Sequence, residues 1–157
     1  MIPSWLIIGG VTLLVSVGGF LVKPRDLKWA VNLERPNWLV FEPLIPVIWT
    51  TIFTCGAVSA DIVWEQEPNS LKTWLLMGLY LTLELITVSY TTVTLRTRSL
   101  TIGTIIGITG AVLSVLLTVS VFPISGWAAA LLLPYVIWSP IGSYTTREIL
   151  RLNPSAE

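Results

Sequence analysis

Five apolar stretches, each close to the length needed to cross a lipid bilayer, limit what this chain can fold into. An α-helix rises about 1.5 Å per residue, so a hydrocarbon layer about 30 Å thick takes about 20 apolar residues. The stretches cover residues 5–22, 45–64, 71–95, 100–122 and 126–147, and polar segments separate them. They predict an all-α membrane protein: one domain over residues 1–157, a bundle of five transmembrane helices with a long first loop. The first stretch has no positively charged segment before it and no small-residue cleavage pattern after it, so it reads as a retained helix.

Composition agrees. Hydrophobic residues make up 54% of the chain and charged ones 11%, against about 25% charged in soluble domains. Nine Lys and Arg balance nine Asp and Glu, so no net field would draw a nucleic acid, and none is expected as a partner. Cys55 stands alone, which excludes an intrachain disulfide. Histidine is absent, removing the usual haem and zinc ligand and the commonest general base. Neither a metal site nor a catalytic set is expected, and no cofactor is obligatory.

Five spans put the two termini on opposite sides. Lys23, Arg25, Lys28 and Arg35 lie in the first loop, Arg96 and Arg98 in the third, and Arg147 and Arg151 in the tail, against Lys72 alone on the other face. The positive-inside rule then makes the first loop and C-terminus cytoplasmic and leaves the N-terminus outside. A bacterial inner membrane or its equivalent suits this topology.

Gly103, Gly107 and Gly110 share one face of the fourth span, a spacing that lets two backbones approach closely. That face would meet either a neighbouring helix or a second protomer. Gly9, Gly10, Gly18 and Gly19 suggest the same for the first span. Pro134 and Pro140 free the carbonyls of Ala130 and Val136, so the fifth helix is expected to pack inward or line a cavity. Of eight tryptophans, Trp5, Trp64, Trp74 and Trp127 fall at span ends, where interfacial indoles belong.

The first loop, residues 23–42, is twenty residues long, where helix connections usually take about 2–8. Leu27, Trp29, Trp38 and Phe41 alternate with charges, and Pro36 and Pro43 stiffen it. Such a segment either closes over the helix ends as a lid or lies in the headgroup layer.

Several runs then resemble one family. Gly19-Phe20-Leu21-Val22-Lys23-Pro24, Trp29, Asn32-Leu33-Glu34-Arg35-Pro36-Asn37-Trp38, Pro46-Val47-Ile48-Trp49-Thr50 and Pro134-Tyr135-Val136-Ile137-Trp138 are similar to motifs of the TspO/MBR family, the tryptophan-rich sensory proteins and translocator proteins. The chain departs from the family pattern at Leu39-Val40-Phe41, where Pro-Pro would follow the loop tryptophan's neighbour. Thr87 and Tyr90 replace the usual Asn and Trp of the third helix, and Thr146 an Asn of the fifth. The resemblance implies a sensory or regulatory membrane protein whose cytoplasm-side cavity binds a tetrapyrrole such as porphyrin or haem. By position it implies Trp38, Phe41, Phe53, Thr87, Tyr90 and Trp138 as the cavity wall. Some family members are associated with light-dependent porphyrin breakdown, which would need no catalytic residue of the kinds missing here.

Arg35 or Lys28 would suit a propionate. Glu84, in the middle of the third span, is costly there: about 2.5–3.5 kcal/mol for an ionised carboxylate even on insertion scales. It is expected to touch a ligand, carry a proton, or hydrogen-bond to a neighbouring helix. Two further readings of the residues stay open: a small proton-coupled exporter using Glu84, and a non-catalytic partner docking on a larger pigment–protein complex through Gly103 and Gly107. The expected partners are therefore the lipid bilayer, a tetrapyrrole, and a homodimer mate or larger membrane complex.

Overall fold

The computed structural model describes residues 2–19 and 21–156; Met1, Phe20 and Glu157 lie outside the described residues. Every regular element among these is helical. Helix α1 spans Ser4–Gly18, α2 Pro24–Val31, α3 Ile45–Gln66, α4 Leu71–Thr97, α5 Leu100–Val121 and α6 Gly126–Leu152, with short 3-10 turns at Glu42–Leu44 and Pro154–Ala156. Three of them, α3 with its preceding turn, α4 and α5, are long and apolar enough to cross a membrane. At 15 residues α1 is shorter than the 5–22 stretch suggests, reaching about 22 Å. The last helix runs beyond residue 147 to Leu152 and continues through both prolines.

Local chemistry sets the helix starts. Ser70, Ser99 and Ser125 each accept a backbone N–H from three residues on (Thr73 N 3.1 Å, Ile102 N 3.2 Å, Ala128 N 3.2 Å), capping α4, α5 and α6. Pro24 and Pro46 sit in the first turns of α2 and α3, where a missing N–H costs nothing. Arg98 ends α4 in the left-handed region at φ 52°.

The bundle is apolar on its outside, and its interior mixes an apolar core around Val63, Leu117, Val121 and Leu132 with buried hydroxyls. Leu13, Leu14, Leu116, Val119 and Ile137 are exposed, while Ser59, Ser114, Ser139, Ser143 and Thr146 are buried. A surface this greasy is stable only against lipid. Inside, most hydroxyls are used up locally or across helices, Thr94 Oγ1 being without a partner among the described residues. Ser59 Oγ donates to the Ala128 carbonyl (2.7 Å), so Tyr80 must donate to Ser59 (2.6 Å), and one pair of hydroxyls ties α3, α4 and α6.

The glycine stripe of α5 faces inward. A Cβ on Gly103 would meet Thr94 Oγ1 at 2.6 Å and the Tyr90 ring at 3.3 Å; one on Gly110 would meet the Tyr135 hydroxyl at 2.7 Å; one on Gly107 would strike Ser143 Oγ. Those neighbours belong to α4 and α6 of the same chain. The stripe is thus a packing face within one protomer, and it is not free to dock a second protomer or a larger complex as the residues alone allowed. A second expectation is corrected on α1: a Cβ on Gly9, Gly10 or Gly18 would meet nothing within 4 Å, and Gly19 alone is crowded, by Ser16 O and Val88.

Because Ser143 Oγ is the atom in the way at position 107, Gly107→Ala should lower stability by about 1–3 kcal/mol, the usual cost of overpacking. Adding Ser143→Ala should recover part of that loss. Thermal unfolding of the single and double variants in detergent tests the pair; strictly additive losses would mean the two positions do not touch.

Candidate functional site

The first loop folds back over the ends of α4 and α6, and two clasps hold it. Asp26 of α2 is 4% exposed and pairs with Arg98 in the α4–α5 turn (3.4 Å). Further along, Asn153 at the end of α6 grips Glu34 from both sides, accepting its N–H at 2.9 Å and donating to its carbonyl at 2.9 Å. The segment is a lid over the bundle end, and part of it, α2, is regular helix. Arg35 serves the lid itself. It donates to the carbonyls of Val31 and Leu33 (3.1 and 2.6 Å) and pairs with Glu42 (3.3 Å), so the guanidinium proposed for a propionate is already engaged.

An aromatic ladder continues the closure. Trp38 stacks on Tyr144 of α6 (centroids 6.0 Å, planes 25° apart) and leans on Phe41 (6.2 Å), and Phe41 meets Trp138 edge-on (6.0 Å, 74°). Contacts of this kind contribute about 0.5–1.5 kcal/mol each beyond area burial.

Under the lid lies a cavity of about 160 Å³, walled by Phe41, Trp49, Tyr90, Tyr135 and Trp138 and floored by Gly107. Its polar lining is almost wholly satisfied by the protein. Thr87 donates to Leu83 O (2.7 Å), so Tyr135 donates to Thr87 (2.6 Å), and likewise Tyr90 donates to Thr146, which donates to Gly142 O (3.0 Å). The exception is Trp138, whose buried indole N–H has no partner among the described residues. That N–H is closed off from the cavity here, so an incoming acceptor would reach it only once the wall shifts. The site offers aromatic faces and one carboxylate, Glu42, which is paired with Arg35; such a lining suits the binding of a flat apolar ligand.

The structure brings Phe41, Thr87, Tyr90 and Trp138 together around this cavity. It separates the others. Trp38 is 41% exposed and caps the lid from outside. Phe53 borders a small central void of about 30 Å³ rather than the main cavity. Glu84 lies on the far side of that void, hydrogen-bonded by Thr12 of α1 (2.6 Å), and floors a larger hollow at the opposite end of the bundle. Three residues that matter were not singled out as site residues: Tyr135, Tyr144 and Asn153. Tyr135 was readable, because Tyr135, Trp138, Gly142, Thr146 and Ile149 recur at helical spacing on one face of α6. Tyr144 and Asn153 were not, since only the returning loop gives them a role.

The sequence that folds into this arrangement matches a known family. The pattern described as TspO/MBR family matches residues 6–152. The chain belongs to that family. It is similar to the translocator protein of Sus scrofa (27% identical over 144 residues, covering 88% of this chain and 85% of that one). It is also similar to the tryptophan-rich protein TspO of Bacillus cereus (26% identical, 83% and 84% covered) and that of Chlorobaculum tepidum (27%, 92% of each). This TspO/MBR chain is therefore a membrane protein of TspO type.

If Asn153 holds the lid, Asn153→Ala removes three hydrogen bonds, counting the one to Ile149 O, each worth about 1 kcal/mol net. Amide hydrogen exchange over residues 32–44 should quicken by at least tenfold while α5 is unchanged. Unaltered exchange in that segment would show the lid to be held by its aromatic contacts alone.

Proposed function

We propose that this TspO/MBR protein is a sensory or regulatory membrane protein that binds a flat aromatic amphiphile of the tetrapyrrole class beneath its first loop. The observation that carries the reading is the lidded cavity walled by Phe41, Trp49, Tyr90, Tyr135 and Trp138. Phe41, Trp49 and Trp138 supply faces on which a macrocycle packs, and the indole N–H suits a ring nitrogen or a carboxylate oxygen. The lid end also carries the positive charge, Lys23, Arg25, Lys28, Arg96, Arg98 and Arg147, that would draw propionates.

As it stands the cavity holds about 160 Å³, below the roughly 300–1,000 Å³ of ordinary ligand sites. Binding a tetrapyrrole therefore requires the segment around Leu39 and Phe41 to lift while α2 stays clasped by Arg98. The proline-flanked, non-helical stretch between α2 and α3 is where such movement is cheapest. In the membrane, five helices cross: α1, α3, α4, α5 and α6, with the lid and C-terminus in the cytoplasm and the start of α1 outside. That orientation rests on the eight Lys and Arg at the lid end against Lys72 at the other.

Titration of the purified protein with protoporphyrin IX should give saturable quenching of tryptophan fluorescence. Trp138→Phe keeps the wall but deletes the donor, and should weaken binding about five- to tenfold, the worth of one hydrogen bond; Trp138→Ala should weaken it further. Quenching that rises without saturation, or is indifferent to both variants, would end the tetrapyrrole reading.

A further inference from the structure

At the end of the bundle away from the lid, the first half of α1, the end of α3 and the first half of α4 enclose a hollow of about 740 Å³. It is several times the size of the cavity under the lid and shares no lining residue with it. Its walls are apolar and aromatic: Ile7, Val11, Trp64, Trp74, Met77 and Tyr80. Trp64 and Trp74 meet edge to face at 4.9 Å, so one indole face is turned away from its neighbour.

The charge in this hollow is all of one sign. Glu84 stands at its floor and Glu65 at its mouth, and no lysine or arginine lines it. Just beside Glu65, the Ser4 hydroxyl lies 2.6 Å from Asp61 Oδ1 and 2.5 Å from Glu65 Oε1. A hydroxyl has a single proton and can satisfy only one of these carboxylates at a time. Among the described residues the ion pairs are Arg35–Glu42, Arg98–Asp26 and Arg151–Glu148, none of which reaches Asp61, Glu65 or Glu84. Two carboxylates, Glu84 and Glu65, thus line an apolar, aromatic hollow, with Asp61 next to Glu65, and among the described residues no lysine or arginine lines it.

We propose that this hollow is a second binding site, specific for an amphiphilic organic cation with an aromatic or alkyl body and a quaternary or protonated centre. The body replaces lipid against Ile7, Val11 and Met77. The cationic centre lies over the indole and phenol faces, where cation–π attraction is strongest in a desolvated setting, and neutralises Glu84 or the Asp61–Glu65 pair. The volume lies within the range of small-molecule sites. An anionic amphiphile of the same shape is excluded, because it would bring a second negative charge into low dielectric beside Glu84. This inference does not rest on tetrapyrrole binding.

The full-length protein in lipid nanodiscs tests the proposal with two ions of one shape, tetraphenylphosphonium and tetraphenylborate, followed by equilibrium dialysis. Tetraphenylphosphonium should bind saturably and tetraphenylborate only in proportion to lipid. Glu84→Gln, and separately Glu65→Gln, should weaken cation binding at least fivefold. Ile7→Trp fills the hollow from a half-exposed position without altering charge, and should abolish binding even if a carboxylate variant folds poorly. Trp138→Ala, in the other cavity, should leave it unchanged. Equal uptake of both ions would mean mere partition into lipid, and loss of cation binding in Trp138→Ala with none in Ile7→Trp would place the cation under the lid; either result overturns the proposal.

Discussion

Close approach of α5 to α4 and α6 is the contact on which the rest of this bundle depends. In lipid there is no hydrophobic drive to bring greasy helices together, so association relies on dense packing and hydrogen bonds. Gly103, Gly107 and Gly110 remove the side chains that would hold the helices apart, and Thr94, Ser143 and the Tyr135 hydroxyl move into the space. Two of the hydroxyls that enter are satisfied, since Tyr135 donates to Thr87, which donates to Leu83 O, and Ser143 donates to Ser139 O; Thr94 Oγ1 has no partner among the described residues. Larger residues at those glycines would disturb both the helix spacing and the chain of donors.

That packing also fixes where empty space is left. With α5 pressed against α4 and α6, the voids fall where α3 meets those helices at the lid end and where α1 leans on α3 and α4 at the other. The central void between Phe53, Tyr80, Glu84 and Tyr135 is only about 30 Å³, so the two are separated by packed side chains. The replaced family positions have a physical logic in this light. Thr87, Tyr90 and Thr146 form hydrogen bonds among α4 and α6 that tie up the lining, which leaves Trp138 as the donor still available.

Much of the fold was legible because apolar length and the placement of serine and proline are local properties. The helix starts at Leu71, Leu100 and Gly126 follow from Ser70, Ser99 and Ser125, each visible one residue upstream of an apolar run. The candidate site was legible in part. Phe41, Thr87, Tyr90 and Trp138 share a cavity, but Phe53, implied by the same resemblance, and Glu84, singled out for its charge in mid-span, line other voids. A helical position gives an angle around its own axis; which neighbour stands at that angle depends on how the other helices are arranged.

Residue chemistry taken alone was enough to require a membrane, an all-helical fold, a stiff aromatic first loop and an uncompensated carboxylate in mid-span. Those conclusions follow from free energies of single residues and their nearest neighbours along the chain. Only the tertiary structure decided that the α5 glycines pack against their own protomer, that Arg35 braces the lid, that Asn153 clasps Glu34 across the whole chain, and that Glu84 lines the outer hollow and the small central void. Each of these depends on contacts between residues far apart in sequence, and such contacts are set by how helices pack, which no single stretch of the chain contains.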